Sequence, residues 1–435
     1  MQSNRPKVLH PLAGCPMIRY LINTVEGLAP ERVIVIVGPE MEDVTRAVAP
    51  HTTLIQHQRL GTGHAVATAR DLLREFHGEI LVLYGDTPLL SQMTMDKVLA
   101  IMRSDAEIGV VVLGFYPQDP VGYGRLIVAS DNSLSAIIEH QDATAAQRTI
   151  GFCNSGIIAV RGEYLFSLLD RIGNDNARGE YYLTDIVTLA QSQGVRCAYL
   201  KGDAAELLGI NTQRDLARAE ALVQDHMRGG MLDSGVTLVD PLTVHCCFDT
   251  KIGRNVIVHP YVVFGPGVVI GDNVEIHSFC HIEQTTIAAC ARVGPYARLR
   301  PGATIHAGAH IGNFVEVKAA TIEAGAKVNH LSYIGDARVG VGANIGAGTI
   351  FCNYNGYTKS FTDVGAGAFI GSNSALVAPV TIGNGAIIGA GSVITNDVSE
   401  DALAVTRGAQ REMPEWASLY RVRKEAQRVE RRKNK

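Results

Sequence analysis

The chain of 435 residues contains no run of eighteen apolar residues, so no stretch of it reads as a membrane span. Its opening, Met1-Gln2-Ser3-Asn4-Arg5-Pro6-Lys7, has no apolar segment of the kind a secretion signal needs. Charge of one sign is also lacking. A formal net charge of −4 and a pI near 6.4 argue against a general nucleic-acid binder. The eight cysteines (Cys15, Cys153, Cys197, Cys246, Cys247, Cys280, Cys290, Cys352) have no C-x-x-C spacing, so neither a zinc knuckle nor a dithiol motif is present. Reduced structural thiols and a cytoplasmic location are the expectation.

Residues 252–394 lack both common periodicities. A helix needs apolar residues three and four apart and an alternating strand needs them two apart. Here they fall six apart: Ile252, Val258, Phe264, Ile270, Ile276, Ile282. After a one-residue slip come Ile287, Val293, Leu299, Ile305, Ile311, Val317, then Ile322, Val328, Ile334, then Val339, Ile345, Phe351. Thirteen residues later the series resumes with Val364, Ile370, Leu376, Ile382, Ile388, Ile394. Such a hexad predicts a parallel β-helix of about eight coils, with three six-residue units to a coil and the heads stacked inward. Small residues follow many heads (Gly253, Gly265, Gly294, Gly312), as expected where the backbone turns sharply and admits no bulk.

The length leaves room for a second core, and residues 1–212 fit a different pattern. Apolar β-branched runs at 33–37, 81–84, 109–114 and 156–160 alternate with helical segments such as 64–75 and 95–102. This order predicts a largely parallel sheet wrapped by helices, with ligands beyond the strands' carboxyl ends. Ile80-Leu81-Val82-Leu83-Tyr84-Gly85-Asp86 is an apolar strand ending in a carboxylate. Asp86 suits a hard divalent cation, and equally suits the start of a turn before Pro88. Leu60-Gly61-Thr62-Gly63-His64 reads either as backbone N–H groups open to a ligand or as a helix start. A connecting helix over 215–227, with Leu216, Ala219, Leu222 and Val223 at helical spacing, is expected to end at Gly229-Gly230, with short strands at 236–239 and 243–247 before the prism.

Within the prism the exceptions to the hexad rule carry the chemistry. Arg300 and Lys318 replace the small residue after the head and stand one coil apart, which suits an anion unless the stacking is coincidental. His330, in Lys327-Val328-Asn329-His330-Leu331-Ser332-Tyr333, is two residues past its head and one coil from Asn313. It reads as an ordinary surface histidine or as a base for an amine nucleophile.

Taken in order, Arg5-Pro6-Lys7-Val8-Leu9-His10-Pro11-Leu12-Ala13-Gly14, Gln56, the Leu60–His64 run, the Tyr84-Gly85-Asp86 end, Gly122-Tyr123-Gly124-Arg125, Ile138-Glu139-His140 and Asn154-Ser155-Gly156 resemble the sugar-phosphate nucleotidyltransferases. Together with the prism they are most similar to the bifunctional N-acetylglucosamine-1-phosphate uridyltransferase/glucosamine-1-phosphate N-acetyltransferase family. The resemblance implies a Rossmann-like α/β nucleotidyltransferase domain followed by a left-handed parallel β-helix, although the general crossover rule favours right-handed connections. It implies Lys7 on phosphate, Gln56, Gly61 and Thr62 near uracil, and Tyr84 and Gly85 in the nucleotide pocket. Gly124, Glu139 and Asn154 would contact the sugar, and Asp86 and Asn211 would hold Mg²⁺. On the prism it implies Arg300, Lys318, Tyr333 and Asn344 on the sugar phosphate and His330 as general base. Ala347, Asn353, Tyr354, Ser372, Ala390 and Arg407 would line the acetyl-CoA cleft, with the irregular stretch 353–359 reaching over it.

The implied substrates are glucosamine 1-phosphate, acetyl-CoA and UTP, and the implied assembly is a homotrimer whose sites lie between prisms. Neither nucleic acid nor membrane is an implied partner. The expected domains are 1–212, a linker helix 213–233, the prism 234–398 and a basic tail 399–435. Residues 421–435 hold eight Lys/Arg against two Glu, a solvated helix end or a lid for CoA phosphates. One departure stands out: the family begins with an apolar strand and a Gly-rich loop, and this chain begins at the Met of that motif. The expectation is a missing strand and weak or absent uridylyl transfer. Two further readings are a nucleotidyltransferase with a purely structural β-helix and a non-catalytic trimeric scaffold.

Overall fold

The structure, a computed structural model, describes residues 1–433; the last two residues of the basic tail lie outside them. The chain forms two compact units, Met1–Asp233 with His245–Asp249, and Ser234–Val244 with Thr250–Lys435. No helix of the described residues is long and apolar enough to cross a membrane.

The first unit is built on two strands, Ile108–Phe115 and Cys153–Arg161, buried along almost their whole length. Continuous apolar runs of this kind are what a strand covered on both faces requires. The sheet runs Arg196–Lys201, Ile108–Phe115, Cys153–Arg161, Arg125–Val128, Leu134–Ile138, with Glu79–Val82 also on Cys153–Arg161. Arg196–Lys201 lies parallel to Ile108–Phe115, but Cys153–Arg161 is antiparallel to all its partners. The sheet is therefore mixed, not largely parallel. Between 115 and 153 the only helix is the four-residue Ala145–Arg148, too short for a crossover, so those strands return antiparallel. Ile34–Val37 pairs with Thr52–Ile55 in a separate parallel pair.

The helix expected at 64–75 is two pieces, Thr62–Ala67 and Arg70–Leu73, and that at 95–102 lies within Gln92–Ser104, capped by the Ser91 side chain. Gln213–Asp233 does not stop at Gly229-Gly230. Burial of Arg228 and Met231 on either side of the pair, with Met231 sulfur 3.8 Å from Cys246 sulfur, outweighs the low helix propensity of glycine. Of the two short strands expected before the prism only Thr237–Leu238 forms. Cys246 instead exchanges hydrogen bonds with the Gln224 amide, its N–H donating at 2.9 Å and its carbonyl accepting at 2.7 Å.

The second unit is a parallel β-helix. One face carries ten strands from Thr237–Leu238 to Leu403–Ala404, more than the eight coils counted from the heads because both ends extend past the hexad run. The heads from Val258 to Ile394 are each 3% exposed or less, so they form one continuous inner column. The glycines after the heads are small for a reason other than turning. A Cβ on Gly312 would lie 1.9 Å from the Asn329 carbonyl oxygen of the next coil, and Gly294 is the one of the four named above with positive φ. The left-handed turn falls mostly three residues past the head, at Asn255, Tyr261, Asn273, Phe279, Tyr296, Phe314 and Leu331 among others. At Tyr261, Phe279, Tyr296 and Phe314 this stacks four exposed rings at centroid spacings of 4.8–5.1 Å.

Candidate functional site

In the first unit, two knots of residues form at the strand ends. Lys7 enters from the one-turn helix Lys7–Leu9, and its ammonium donates to Asp86 Oδ2 at 2.6 Å and to Asn211 Oδ1 at 2.9 Å. The Ile210 N–H donates to the Asp86 carbonyl at 2.9 Å and ties the two loops together. Two hard oxygens from distant segments thus converge on one cation, and a carboxylate with an amide oxygen is a donor set that fits Mg²⁺.

The second knot gathers the expected base and sugar residues. Gln56 Nε2 donates to the Gly61 carbonyl at 3.1 Å. Gly61 has φ of 114°, and a Cβ there would lie 2.6 Å from the Tyr181 carbonyl oxygen, so glycine is required. Thr62 accepts from the Leu183 N–H at 2.9 Å. Burial, with Glu139 nearby, pushes the Tyr84 pKa up to about 12. The Tyr84 ring lies where a Cβ on Gly156 would be, 2.1 Å away. Gly85 packs against Ile18 and Val8. Asn154, 8% exposed, donates its N–H to the Gly124 carbonyl and accepts from the Gly156 N–H. Lacking a Cβ, Gly124 leaves open the approach to Glu139, whose carboxyl accepts from Thr184 at 3.1 Å and is held above the usual carboxylate range by burial. The 181–184 segment that closes this knot carries no motif of its own, and sequence reasoning missed it.

In the second unit the expected residues fall on two faces. Leu299 pairs with Val317, which sets Arg300 beside Lys318 in adjacent coils, with Tyr333 opposite Glu316 in the next. Of the two stacked cations, Arg300 already has a partner: its Nη1 lies 2.7 Å from Glu316 Oε1. Charge crowding centres on Lys318 instead. The nearby Lys359 amine, then Arg300, hold Lys318 below the usual lysine range. Lys359 was missed as a site residue; it ends the irregular stretch, where an isolated bridge pairs it with Tyr354. Asn353 Nδ2 donates to Asp336 and lies 3.5 Å from the Tyr333 hydroxyl. Arg300 Nε and Asn329 Oδ1 are buried without a protein partner.

Asn344 stands on the other face, opposite Lys327, with His330. His330 is exposed, pairs in register with Asn313, and its Nδ1 lies 2.7 Å from Asn313 Oδ1. Because Val328, Ile345, Ile370 and Ile388 are successive partners, the residues two past each head stack on one edge: His330, Ala347, Ser372, Ala390. Arg407 donates to the Ala390 carbonyl at its end. The residues expected at the acetyl-CoA cleft thus form a column continuous with His330, apart from Asn353 and Tyr354, which come from the excursion.

Residues 1–150 match the MobA-like NTP transferase domain, and residues 249–284 and 361–396 match the bacterial transferase hexapeptide repeats. The chain is similar to the bifunctional protein GlmU of Paramagnetospirillum magneticum (58% identical, 99% of this chain, 95% of the relative). It is similar to those of Rhodospirillum rubrum (58%; 97% and 94%) and Xanthobacter autotrophicus (51%; 97% and 94%). Coverage of that extent gives no support to a truncated first domain or to the loss of uridylyl transfer inferred from it. The chain is a transferase with a nucleotidyltransferase half and a hexapeptide-repeat half, and it belongs to the family of the bifunctional protein GlmU.

Proposed function

We propose that the prism transfers the acetyl group of acetyl-CoA to the amine of glucosamine 1-phosphate. The first unit then joins N-acetylglucosamine 1-phosphate to UTP, giving UDP-N-acetylglucosamine and pyrophosphate, in the cytoplasm.

The observation that carries the first half is the His330–Asn313 contact. An amide oxygen only accepts, so Nδ1 carries a proton in this contact, and in the neutral ring Nε2 is then the nitrogen with the lone pair. Nε2 takes a proton from the substrate amine as its nitrogen attacks the thioester carbon; the N–C bond forms, the C–S bond breaks, and the proton ends on the leaving thiolate. Arg300, Lys318 and Lys359 bind the sugar's phosphate; the buried Arg300 Nε–H donates to a substrate oxygen and the buried Asn329 Oδ1 accepts from a substrate hydroxyl. The column of Ala347, Ser372 and Ala390 leaves room for the extended arm of CoA, with Arg407 at its far end.

In the first unit, Glu139, Asn154 and the Gly124 backbone orient the sugar, and Gln56, Gly61 and Thr62 orient the base. Lys7 binds phosphate while the sugar-phosphate oxygen attacks the α-phosphorus and pyrophosphate leaves. Mg²⁺ held by Asp86 and Asn211 would neutralise charge on the phosphates.

His330 and Lys318 lie on different faces of the prism, which supports a site completed by a second copy in a homotrimer. The exposed ladder Tyr261, Phe279, Tyr296, Phe314 offers apolar surface for such packing.

The test measures thiol release and pyrophosphate release on the same full-length preparation. His330→Asn should cut thiol release about 10²–10⁴-fold and spare pyrophosphate release, and Asp86→Ala should do the reverse. Mixing His330→Ala with Arg407→Ala chains should restore part of the acetyl transfer. Wild-type protein without pyrophosphate release sinks the uridylyl half; no restoration on mixing sinks the shared site.

A further inference from the structure

On the ten-stranded face, three coils from the His330 strand, a cluster remains that the proposed reactions do not use. Val258 pairs with Ile276, so His259 and His277, each one residue past its head, stand directly one above the other. Their backbones are fixed by ladder hydrogen bonds, His259 N–H to the Ile276 carbonyl at 2.9 Å and His277 N–H to the Val293 carbonyl at 2.7 Å. The imidazole rings stack at 4.8 Å with 19° between planes. Glu275, two residues before His277 on the same strand face, turns one oxygen to both rings: Oε1 lies 3.2 Å from His259 Nε2 and 3.7 Å from His277 Nε2. All three ligand atoms lie within 4.8 Å of one another, and the side chains are about one-third exposed. On the next coil the position after the head is Gly294, so no side chain there covers the cluster.

We infer that His259, His277 and Glu275 form a binding site for one borderline divalent transition-metal ion of the zinc or nickel type, bridging two successive coils. Two neutral imidazoles and a carboxylate select such ions over Mg²⁺ or Ca²⁺, which prefer all-oxygen shells. Zinc bonds of about 2.0–2.2 Å require the three atoms to draw together, and partly exposed side chains permit the small rotations needed. Arg292 Nε, 3.7 Å from Glu275 Oε2, does not stand in the way. Its charge faces the other carboxylate oxygen and leaves Oε1 for the ion, so the ligand is flanked by an outer ion pair. With three protein ligands, a fourth position stays open to water or to an anion. Three strand spacings of about 4.8 Å put the site some 14 Å from the His330 strand, so it does not belong to the acetyl-transfer machinery.

The test titrates the untagged full-length protein with Co²⁺, followed by visible absorption, and with Zn²⁺, followed by calorimetry. In a hundredfold excess of Mg²⁺, which occupies the Asp86 and Asn211 oxygens, wild-type protein should bind one equivalent of Co²⁺ per chain with visible d–d bands. The pair His259→Asn with His277→Asn should lose that equivalent, and Glu275→Gln should weaken it more than tenfold. His281→Asn, exposed and outside the cluster, should change nothing. Melting curves without metal establish that each variant is folded, and Zn²⁺ should raise the wild-type melting temperature but not that of the double variant. Wild-type protein that binds no Co²⁺, or a folded double variant that retains the equivalent, overturns the inference.

Discussion

Glu139 sits where burial works against its charge, and the Thr184 hydroxyl offsets only part of that cost. A carboxyl whose pKa is raised by folding contributes its stability below the unfolded value and loses it as pH rises through the folded one. Glu139→Gln should therefore make the first unit more stable than wild type at neutral pH. The difference in melting temperature should vanish below about pH 4, where both states of the wild-type side chain are protonated. Asn313 shows the opposite logic, a neutral group placed to fix a tautomer. Asn313→Ala removes one hydrogen bond worth about 1 kcal/mol, so acetyl transfer should fall by roughly fivefold in kcat with little change in KM for acetyl-CoA. A change confined to KM would show that the contact positions the carrier and not the base. Neither group stood out in the sequence for these reasons: Glu139 was visible only inside a family motif, and its burial depends on the 181–184 segment that returns from far along the chain.

Along the prism, each element is two to seven residues long and draws its stability from the inner column. Ile334→Ala, at a head with no exposure, should cost about 2–5 kcal/mol in denaturant unfolding, against a small effect for the exposed Ile350→Ala. This column was legible at once, because a period of six in apolar residues has few structural causes. The role of the small residues was only half legible: composition marked them, but contact with the next coil and turning are distinct demands, and the turn is carried by Asn, aromatic and Gly residues further on. In the first unit apolar runs located the strands and gave no direction, since burial on both faces looks the same in parallel and antiparallel pairs. Ile34–Val37 and Glu79–Val82 each keep one edge without a ladder partner among the described residues. The helix through Gly229 and Gly230 was misread because propensity is local and the contacts that overrule it are not.

For the molecule as a whole, the two sets of residues lie in separate compact units and present different groups, hard oxygens in one and an imidazole with cations in the other. Removing divalent ions with a chelator should abolish pyrophosphate release and leave thiol release within a factor of about two, since only the first set presents hard oxygens to a cation and imidazole proton transfer needs none. Equal loss of both would place an ion in each reaction. The column from His330 to Ala390 has one more implication. Its members are spaced by whole coils, so under the proposed function the prism is a ruler with divisions of about 4.8 Å, and the acyl carrier would be chosen by length in integer steps. Duplicating the 18-residue coil that ends at Ala390 should leave the fold intact, move the Arg407 end one division outward, and shift preference from the native thioester to one with a longer arm.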